Sequence, residues 1–430
     1  MANQMQRWLA KGAAAVVDQT ISAALVFGVN IFVARSVPER EYGLFALLYA
    51  IVVLANMLHN AIVTEPMMVY RGRLTEAQFD RGLALFRGTN LRFALAASIV
   101  GTAFATICGL LGYASWATSS IVVGLAIGAL AFLWFARKAC YAKLDPAGAV
   151  KLAAAHCAIT IGLLAGGRGV GWESAHSTIA LMSIGGILAV WIVTREHFGR
   201  RQGGEPTAEI GHQMVPIGRY GRHAVPGAIL NWLTGNAFYI ALPLVVGLEE
   251  GALFRSVMNL YLPFQHILLS LSVLVITPLA IYVREGIDAE IRKKLCLRSL
   301  VVVSIGGVYG LLSLWYGRNV IAALYGGAYL AGAEILRFGF LLPIAWALVA
   351  ASATILRALD QPGRVSVAYA FGAVAVGTWL IPYAGRYGAT GAMVGYVIMQ
   401  GVTGIMGFGM LLAPLLGALP EPATRSPNKV

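Results

Sequence analysis

The chain has 430 residues, of which 58% are hydrophobic and 12% are charged, and its mean hydropathy is +0.74. A soluble globular protein carries about 25% charged residues, so this chain has half the usual charge and its solvent is mostly lipid. The same composition argues against a disordered chain, and the presence of only 4 cysteines argues against a disulfide scaffold. The net charge of +13 does not by itself indicate a nucleic-acid binder, because its meaning depends on where the charges lie.

Twelve apolar segments are long enough to cross a bilayer. A helix needs about 20 apolar residues at ~1.5 Å each to span a ~30 Å hydrocarbon core. Helices are expected because backbone groups cannot stay unpaired in lipid, and no alternating pattern suggests a barrel. The predicted spans are 13–34, 44–65, 92–113, 117–136, 147–166, 176–194, 224–246, 256–283, 299–316, 335–356, 365–383 and 391–412.

Lysine and arginine fall mainly in alternate loops between these spans. Of the 32 bases, 25 lie on the side that also receives both termini, six lie on the other side, and Arg337 lies at a helix edge. Cytoplasmic loops carry the excess of positive charge, so both termini are predicted to be cytoplasmic. The predicted fold is therefore an all-α polytopic membrane protein with about twelve transmembrane helices.

The longest polar segment divides the spans into two sets of six. Six is an even number, so both halves enter from the cytoplasm and a repeat between them would be parallel. Three residues after the first span recur approximately after the seventh: Glu41, Gly43 and Phe45 against Glu250, Gly251 and Phe254. The predicted domains are an N-terminal six-helix lobe (1–194), a cytoplasmic linker (195–223), a C-terminal six-helix lobe (224–412) and a disordered cytoplasmic tail (413–430). Two facing six-helix lobes are typical of an alternating-access carrier.

The first two spans contain polar residues that are candidates for ion coupling or for lining a transport path. Asp18, Gln19 and Asn30 share one face of the first helix, where Asp18 would be a proton or cation site. Alternatively, Asp18 caps a helix or pairs with a loop arginine. The second span offers His59 and, on about the opposite face, Glu65. Polar side chains there can also serve as ordinary interhelical hydrogen-bonding groups.

A polar stripe along the eighth span is the sharpest of these patterns. Its members fall on one helical face: Arg255, Asn259, His266, Ser270 and Thr277. A stripe of this kind is disfavoured against lipid, so it faces protein or water, and it either lines a transport path or packs against another polar helix. Asn231 and Asn236 of the seventh span are candidates for the same cavity and for substrate binding.

Several segments resemble one known family. The opening VDQTISAALVFGVNIFVARSVPEREYGLFALLYAI (17–51) is similar to the first helical hairpin of polysaccharide and O-antigen flippases, with its Pro-Glu-x-x-Tyr-Gly-x-Phe turn at 38–45. These flippases belong to the multidrug, oligosaccharidyl-lipid and polysaccharide exporter superfamily. Further segments resemble the family after the fourth helix and around the tenth: FARKACYAKLDPAGA (135–149), ALYGGAYLAGAEILRFGF (323–340) and ILRALDQPGR (355–364).

The resemblance implies a carrier that moves a glycan, usually attached to a polyprenyl pyrophosphate lipid, from the cytoplasmic to the periplasmic leaflet of a bacterial inner membrane. It implies alternating access between two lobes, driven by an H⁺ or Na⁺ gradient, and contacts with polysaccharide polymerase or export machinery. Many such flippases have several bases in a central cavity, and this chain departs from that pattern. For an anionic head group the candidates are Arg35, Arg255 and Arg337, together with helix N-termini.

Other functions remain open at this point. A drug or metabolite cation antiporter of the same superfamily has the same topology. A membrane glycan polymerase or ligase needs a sizeable extracytoplasmic loop with catalytic groups, whereas the longest one predicted here, 317–334, is mostly apolar and rich in glycine. A major-facilitator carrier would show a basic signature between the second and third helices, and the sequence lacks it. We find no catalytic triad, metal-ligand spacing or cofactor motif and expect no enzymatic activity. The excess cytoplasmic charge is expected to contact anionic inner-leaflet lipids.

Overall fold

The computed structural model describes residues 2–71, 76–198, 216–285, 289–359 and 361–415, and all regular structure within them is helical. Most of the predicted linker and tail therefore lie outside the described residues. The helices are α1 (Ala2–Ser36), α2 (Glu39–His59), α3 (Glu65–Arg71), α4 (Glu76–Leu110), α5 (Ala114–Ala142), α6 (Pro146–Gly169), α7 (Ala175–Phe198), α8 (Pro216–Val245), α9 (Leu248–Glu285), α10 (Ala289–Tyr325), α11 (Gly332–Gly339), α12 (Leu342–Ala358), α13 (Pro362–Ala375) and α14 (Ile381–Leu415).

Two π turns make some of these helices continuous. The turn Asn60–Thr64 joins α2 to α3, and Val376–Leu380 joins α13 to α14. Within α14 the chain breaks at Gly388, whose φ of 60° and ψ of −145° are not helical. The residues before this break complete the eleventh predicted span, and those after it form the twelfth.

The helices account for the twelve apolar segments predicted from hydropathy. In the described part of the chain, nine helices are long and apolar enough to cross a bilayer, and α11 with α12, bent by 45°, forms a tenth. The 38-residue α9 contains the eighth predicted span. The predicted and observed boundaries differ most for the third span, which was predicted to begin at residue 92, whereas α4 begins at Glu76. Hydropathy detects the apolar part of a helix, whereas the backbone hydrogen bonds continue through its charged first turns.

The repeat appears in the structure as two equivalent capping contacts. The Ala175 N–H, at the start of α7, donates a hydrogen bond of 3.1 Å to Glu41 of α2. The Ala389 N–H, directly after the Gly388 break, donates one of 2.6 Å to Glu250 of α9. In each half, therefore, a carboxylate at the start of the second span satisfies an N–H at the start of the sixth. A carboxylate at a helix N-terminus is also favoured by the helix dipole.

We expect Glu250→Ala to lower the thermal stability of the purified chain in detergent. The substitution leaves the Ala389 N–H unpaired, and loss of such a cap costs about 1–2 kcal/mol. Glu249→Ala is the matched control, because that neighbouring carboxylate is exposed and lies on the same first turn of α9. Equal melting temperatures for the two variants would contradict a structural role of the Glu250 cap.

Candidate functional site

The two lobes meet where α1 and α2 of the first contact α8 and α9 of the second. Four contacts bridge them near the predicted periplasmic ends of these helices, and we call this region the outer closure: Arg255 with Asn30, Asn259 with Tyr42, Gly43 with the Leu248 backbone, and Arg35 with the Ala323 carbonyl oxygen. Nearer the middle of α2, the Trp232 indole N–H donates a 3.0 Å hydrogen bond to the Ala50 carbonyl oxygen. Toward the opposite end of α1, Asp18 contacts α5 of its own lobe.

Arg255 is a buried cation at the centre of the outer closure. Its relative exposure is 5%, and its Nε donates a 2.8 Å hydrogen bond to Asn30 Oδ1. The guanidinium carbon lies 4.7 Å from the ring centroid of Tyr239 and 5.6 Å from that of Tyr49. Among the described residues, no carboxylate lies within ion-pair distance of it. Aromatic faces and an amide thus stabilise a charge that ordinarily needs a counter-ion.

Asn259 lies one helical turn from Arg255 and connects the same helices. Its amide Nδ2 donates to the hydroxyl oxygens of Tyr42 and Tyr325 at 2.8 and 3.1 Å. The Tyr325 hydroxyl in turn donates to the Ser256 carbonyl oxygen at 3.1 Å. The Asn259 Oδ1 atom is buried and has no hydrogen-bond partner in the described part of the chain. This network is therefore incomplete in the closed arrangement, and a buried acceptor without a donor is unfavourable.

Asp18 is fully buried and pairs with an arginine, which was one of the two alternatives for it. Its carboxylate receives hydrogen bonds from Arg137 Nη2 at 2.7 Å and Nε at 3.2 Å, and from the Tyr141 hydroxyl at 2.6 Å. The neighbouring Gln19 amide lies at 3.5 Å. This geometry joins α1 to the end of α5, so the charge of Asp18 is compensated within the first lobe.

Asp18→Asn is expected to destabilise the protein by about 2–3 kcal/mol, seen as a lower melting temperature. Breaking a fully buried pair costs about 3–5 kcal/mol, and the value is smaller here because 20% of the Arg137 side chain is exposed. Asp80→Asn is the control: its 2.8 Å pair with Lys143 is partly exposed and contributes at most about 1 kcal/mol. The double variant Asp18→Asn, Arg137→Gln should recover part of the stability. If Asp18→Asn kept full stability and lost only ion coupling, its role would be functional instead.

His59 and Glu65 lie on either side of the π turn that joins α2 to α3. The His59 Nε2 atom is 2.7 Å from Asn90 Oδ1, and its ring packs against Phe93 and Trp134 of the first lobe. Glu65 interacts electrostatically with Lys138. Neither residue is part of the outer closure, so they stay candidates for coupling within the first lobe. π turns occur frequently at functional sites.

The remaining candidates are dispersed. Arg337 is 69% exposed and forms a 3.1 Å ion pair with Glu334 on α11. Arg35, at the end of α1, donates one long hydrogen bond of 3.4 Å to the Ala323 carbonyl oxygen. Asn231 and His266 are half-buried on α8 and α9. The Asn236 amide donates at 3.5 Å to the Trp232 carbonyl oxygen of its own helix. The side chain of Thr277, like that of Ser270, lies outside the described residues.

Sequence reasoning missed several participants in these sites. Arg137 counted only as a cytoplasmic base, although the buried Asp18 required a partner of that kind. The tyrosines around Arg255 and Asn259 were also missed, because aromatic residues are common in membrane helices and none carries a charge that draws attention. These residues are Tyr42, Tyr49, Tyr239 and Tyr325.

Comparisons with known proteins show similarity in structure alone, since no family model and no curated protein matches the sequence. A multidrug resistance MATE family transporter of the MOP superfamily, in its inward-facing conformation, is 13% identical, with a TM-score of 0.71 over 94% of this chain and 100% of that one. A MATE crystallised with MaL6 is 13% identical, with a TM-score of 0.62 over 95% and 97%. A MOP superfamily transporter from Pyrococcus furiosus is 14% identical, with a TM-score of 0.61 over 94% and 95%.

These similarities cover nearly the whole of each chain. At such low identity they bear on the fold and not on the substrate. They confirm the predicted all-α fold of two lobes. The chain thus has the fold of multi-pass membrane transporters of the MOP superfamily, whose solved members here are transporters and not enzymes.

Proposed function

We propose that this chain moves a lipid-linked oligosaccharide or polysaccharide precursor from the cytoplasmic to the periplasmic side of a bacterial inner membrane by alternating access. The observation that carries the proposal is Arg255, a buried guanidinium without a carboxylate partner among the described residues, located between the two lobes. Substrate sites of carriers built from repeats lie at the interface of the repeats. Arginine is well suited to phosphate, because its planar donors match the phosphate oxygens.

The sign of the charge distinguishes this proposal from a cation antiporter. An organic cation is repelled by a buried guanidinium and attracted by a carboxylate that has no other partner. Here Asp18 pairs with Arg137, Glu41 and Glu250 receive hydrogen bonds from helix N-termini, and Glu65 interacts with Lys138. A positive charge therefore remains in the interface, which favours an anion.

The solved structures with a similar fold support the idea that one fold serves several substrates. The Pyrococcus furiosus transporter is described as having a binding pocket of reversed polarity that suggests a different function. We infer that Arg255 gives this chain a positively charged interface on the same fold. Function is carried by the site and not by the fold.

Coupling to an H⁺ or Na⁺ gradient is part of the proposal. Asp18, His59, Glu65 and His266 are the titratable candidates for it, and Arg35, Asn231, Asn236 and Arg337 remain candidates for contacts with the glycan. Anionic inner-leaflet lipids and a polysaccharide polymerase or export machinery are the proposed partners.

The test is reconstitution of the purified full chain in proteoliposomes that contain a polyprenyl diphosphate carrying a labelled oligosaccharide. Translocation is followed as the fraction of glycan accessible to an added glycan-cleaving enzyme. We expect faster translocation than in protein-free vesicles, and a further increase under an imposed proton or sodium gradient. If the vesicles instead transport ethidium in exchange for protons when a proton gradient is imposed, and leave the glycan lipid unmoved, the chain is a cation antiporter and the proposal is wrong.

A further inference from the structure

Tyr49 of α2 lies beside the buried Arg255 and keeps part of its surface free. Its ring centroid is 5.6 Å from the Arg255 guanidinium carbon and 5.7 Å from the ring centroid of Phe45, one turn earlier on α2. The side chain is half-buried, and its hydroxyl group makes no hydrogen bond within the described part of the chain. Tyrosine combines an apolar ring face with a polar tip that usually finds a partner. Tyr49 therefore offers a ring face and an open hydroxyl group next to a cation.

Asn56 is a second polar residue without a side-chain partner on the same face of α2. It follows Tyr49 by seven residues, so the two side chains project within about 20° of each other and lie about 10 Å apart along the helix. The Asn56 side chain is half-buried, and its amide makes no hydrogen bond to the residues that the structure describes. Such an amide is unfavourable against hydrocarbon, so Asn56 faces water or a polar ligand. Asn60 differs, because Thr64 Oγ1 donates a 2.9 Å hydrogen bond to its Oδ1 atom.

The second lobe contributes an open acceptor to the same region. Asn259 follows Arg255 by one turn of α9, and its Oδ1 atom is buried without a donor among the described residues. Its Nδ2 atom donates to Tyr42, which precedes Tyr49 on α2 by the same interval of seven residues. The face that carries Tyr42, Tyr49 and Asn56 thus starts at the contact between the lobes and leads toward the predicted cytoplasmic side. We call Tyr49 and Asn56 the open face of α2.

An aromatic face, an amide and a nearby guanidinium together match a sugar linked to phosphate. The C–H face of a sugar ring packs on an aromatic ring, and sugar hydroxyl groups both donate and accept hydrogen bonds, as an amide side chain does. The planar donors of Arg255 match phosphate oxygens. A sugar hydroxyl group would also supply the donor that Asn259 Oδ1 lacks.

We propose that the open face of α2 binds the sugar rings nearest the diphosphate of the substrate, the first against Tyr49 and the next at Asn56, while Arg255 binds the phosphate; this rests on the function proposed above. The outer closure lies on the predicted periplasmic side of Arg255. A glycan whose phosphate is held there therefore extends in the other direction, along α2 toward the cytoplasm. Tyr49 and Asn56 are then specificity-determining residues for the first two sugars.

A matched pair of soluble ligands separates contacts with sugar from contacts with phosphate. One is a diphosphate of a short isoprenoid alcohol, and the other carries galactosyl-glucose or galactosyl-N-acetylglucosamine on the same diphosphate. Binding to the purified full chain, in nanodiscs of phosphatidylethanolamine and phosphatidylglycerol, is measured by calorimetry. We expect the wild type to bind a sugar-bearing ligand more tightly than the sugar-free one. Arg255→Met should weaken binding of both kinds of ligand.

Two variants of the open face should affect only the sugar-bearing ligand. Asn56→Leu is expected to weaken its binding about 2- to 10-fold, the effect of one neutral hydrogen bond, and to leave binding of the sugar-free ligand unchanged. Tyr49→Phe is the milder variant, because it removes the open hydroxyl group and keeps the ring beside Arg255. We expect the same selective loss for it. Normal binding of the sugar-free ligand shows that a variant is folded.

Two exposed residues of α10 provide the matched controls. Asn319→Leu and Tyr316→Phe make the same chemical changes outside the interface between the lobes, and they should alter the binding of neither ligand. Equal binding of all ligands by the wild type would overturn the sugar site. Losses of equal size for both kinds of ligand in Asn56→Leu and Tyr49→Phe, or no loss in either variant, would overturn it as well.

The translocation assay separates this sugar site from the proposed function. If the wild-type chain moves the glycan lipid while Asn56→Leu and Tyr49→Phe bind every ligand as the wild type does, the open face of α2 is not the sugar site and the function stands. If the wild-type chain does not move the glycan lipid, the proposed function is wrong whatever the binding experiments give.

Discussion

Arg255→Met is expected to lower the rate of glycan-lipid translocation by about 10- to 150-fold with little loss of stability. Hydrogen bonds to a charged group contribute about 1.5–3 kcal/mol, and that range corresponds to the expected loss of rate if the phosphate binds the guanidinium during transport. Methionine is apolar and of similar length, so it removes a buried charge that has no carboxylate partner among the described residues. Replacing buried ionic groups together by well-packed apolar residues is often neutral or stabilising. Here the gain from removing the buried charge is offset by the buried Asn30 Oδ1, which loses its donor at a cost of about 1–3 kcal/mol.

Translocation and stability are expected to respond differently to this substitution because Arg255 has only weakly interacting partners. Asn30 supplies one hydrogen bond, and Tyr49 and Tyr239 supply ring faces, none of which carries a negative charge. A buried cation in such a setting contributes little to folding, so its role is sought in what it binds. A large loss of transport together with a small change in melting temperature is the signature of that role.

Two further arginine variants complete the experiment, which measures translocation and thermal stability in parallel. Arg255→Lys keeps the charge but loses the planar donors, and we expect only partial activity. Arg318→Ala is the matched control, because that arginine is exposed on α10 and is not among the candidates for substrate binding. Wild-type translocation by Arg255→Met would contradict the anion site, and so would equal losses in Arg255→Met and Arg318→Ala.

Hydropathy and charge predict much of this fold. Runs of about 20 apolar residues are a strong signal because lipid requires closed helices, and the alternation of basic loops supports the number of spans. The recurrence of Glu41 as Glu250 also had structural meaning, since both carboxylates accept a hydrogen bond from the N-terminus of a sixth span. Helix ends were less predictable, as α4 shows, because a helix extends beyond the bilayer.

The candidate site could be predicted only in part, because partners come from distant segments. The helical wheel placed Arg255 and Asn259 on one face, and both indeed contact residues of the first lobe. A helical wheel does not show which residues of other helices face it, so Tyr42 and Asn30 were not identified as the partners of Asn259 and Arg255. Likewise, Arg137 is 119 residues away from Asp18, a separation that no periodicity links. Arg35, Arg255 and Arg337 looked equivalent in sequence, and only the packing of α1, α9 and α11 distinguishes the buried one.

Gly43→Ala is expected to shift the protein toward an arrangement that is open on the predicted periplasmic side. A Cβ atom at Gly43 would collide with the carbonyl group of Leu248, which is backbone at the first residue of α9 and cannot rotate away. Overpacking of this kind costs about 1–3 kcal/mol, which shifts an equilibrium between two arrangements by roughly 5- to 150-fold. The cost applies only while the lobes are in contact, so separation of the outer ends relieves it.

The shift is measured as a distance between spin labels on the two lobes, at Arg40 and Ala328, in a background without the native cysteines. Both positions are exposed, and they lie on opposite sides of the outer closure. Gly28→Ala is the control, because nothing lies within 4 Å of a Cβ atom built at that glycine of α1. We expect a longer distance population for Gly43→Ala and the wild-type distribution for Gly28→Ala.

The same variant links the outer closure to transport. If alternating access requires the lobes to meet at Gly43 in each cycle, Gly43→Ala slows translocation, because the closed arrangement becomes rare while Arg255 itself is unchanged. Its effect then resembles that of Arg255→Met on rate but is larger on distance, because Arg255→Met removes one hydrogen bond of the closure and leaves the Gly43–Leu248 contact without a clash. A Gly43→Ala variant with wild-type distances and wild-type rates would show that the Leu248 backbone can shift to accept the added methyl group without separation of the lobes. The outer closure would then not be a gate.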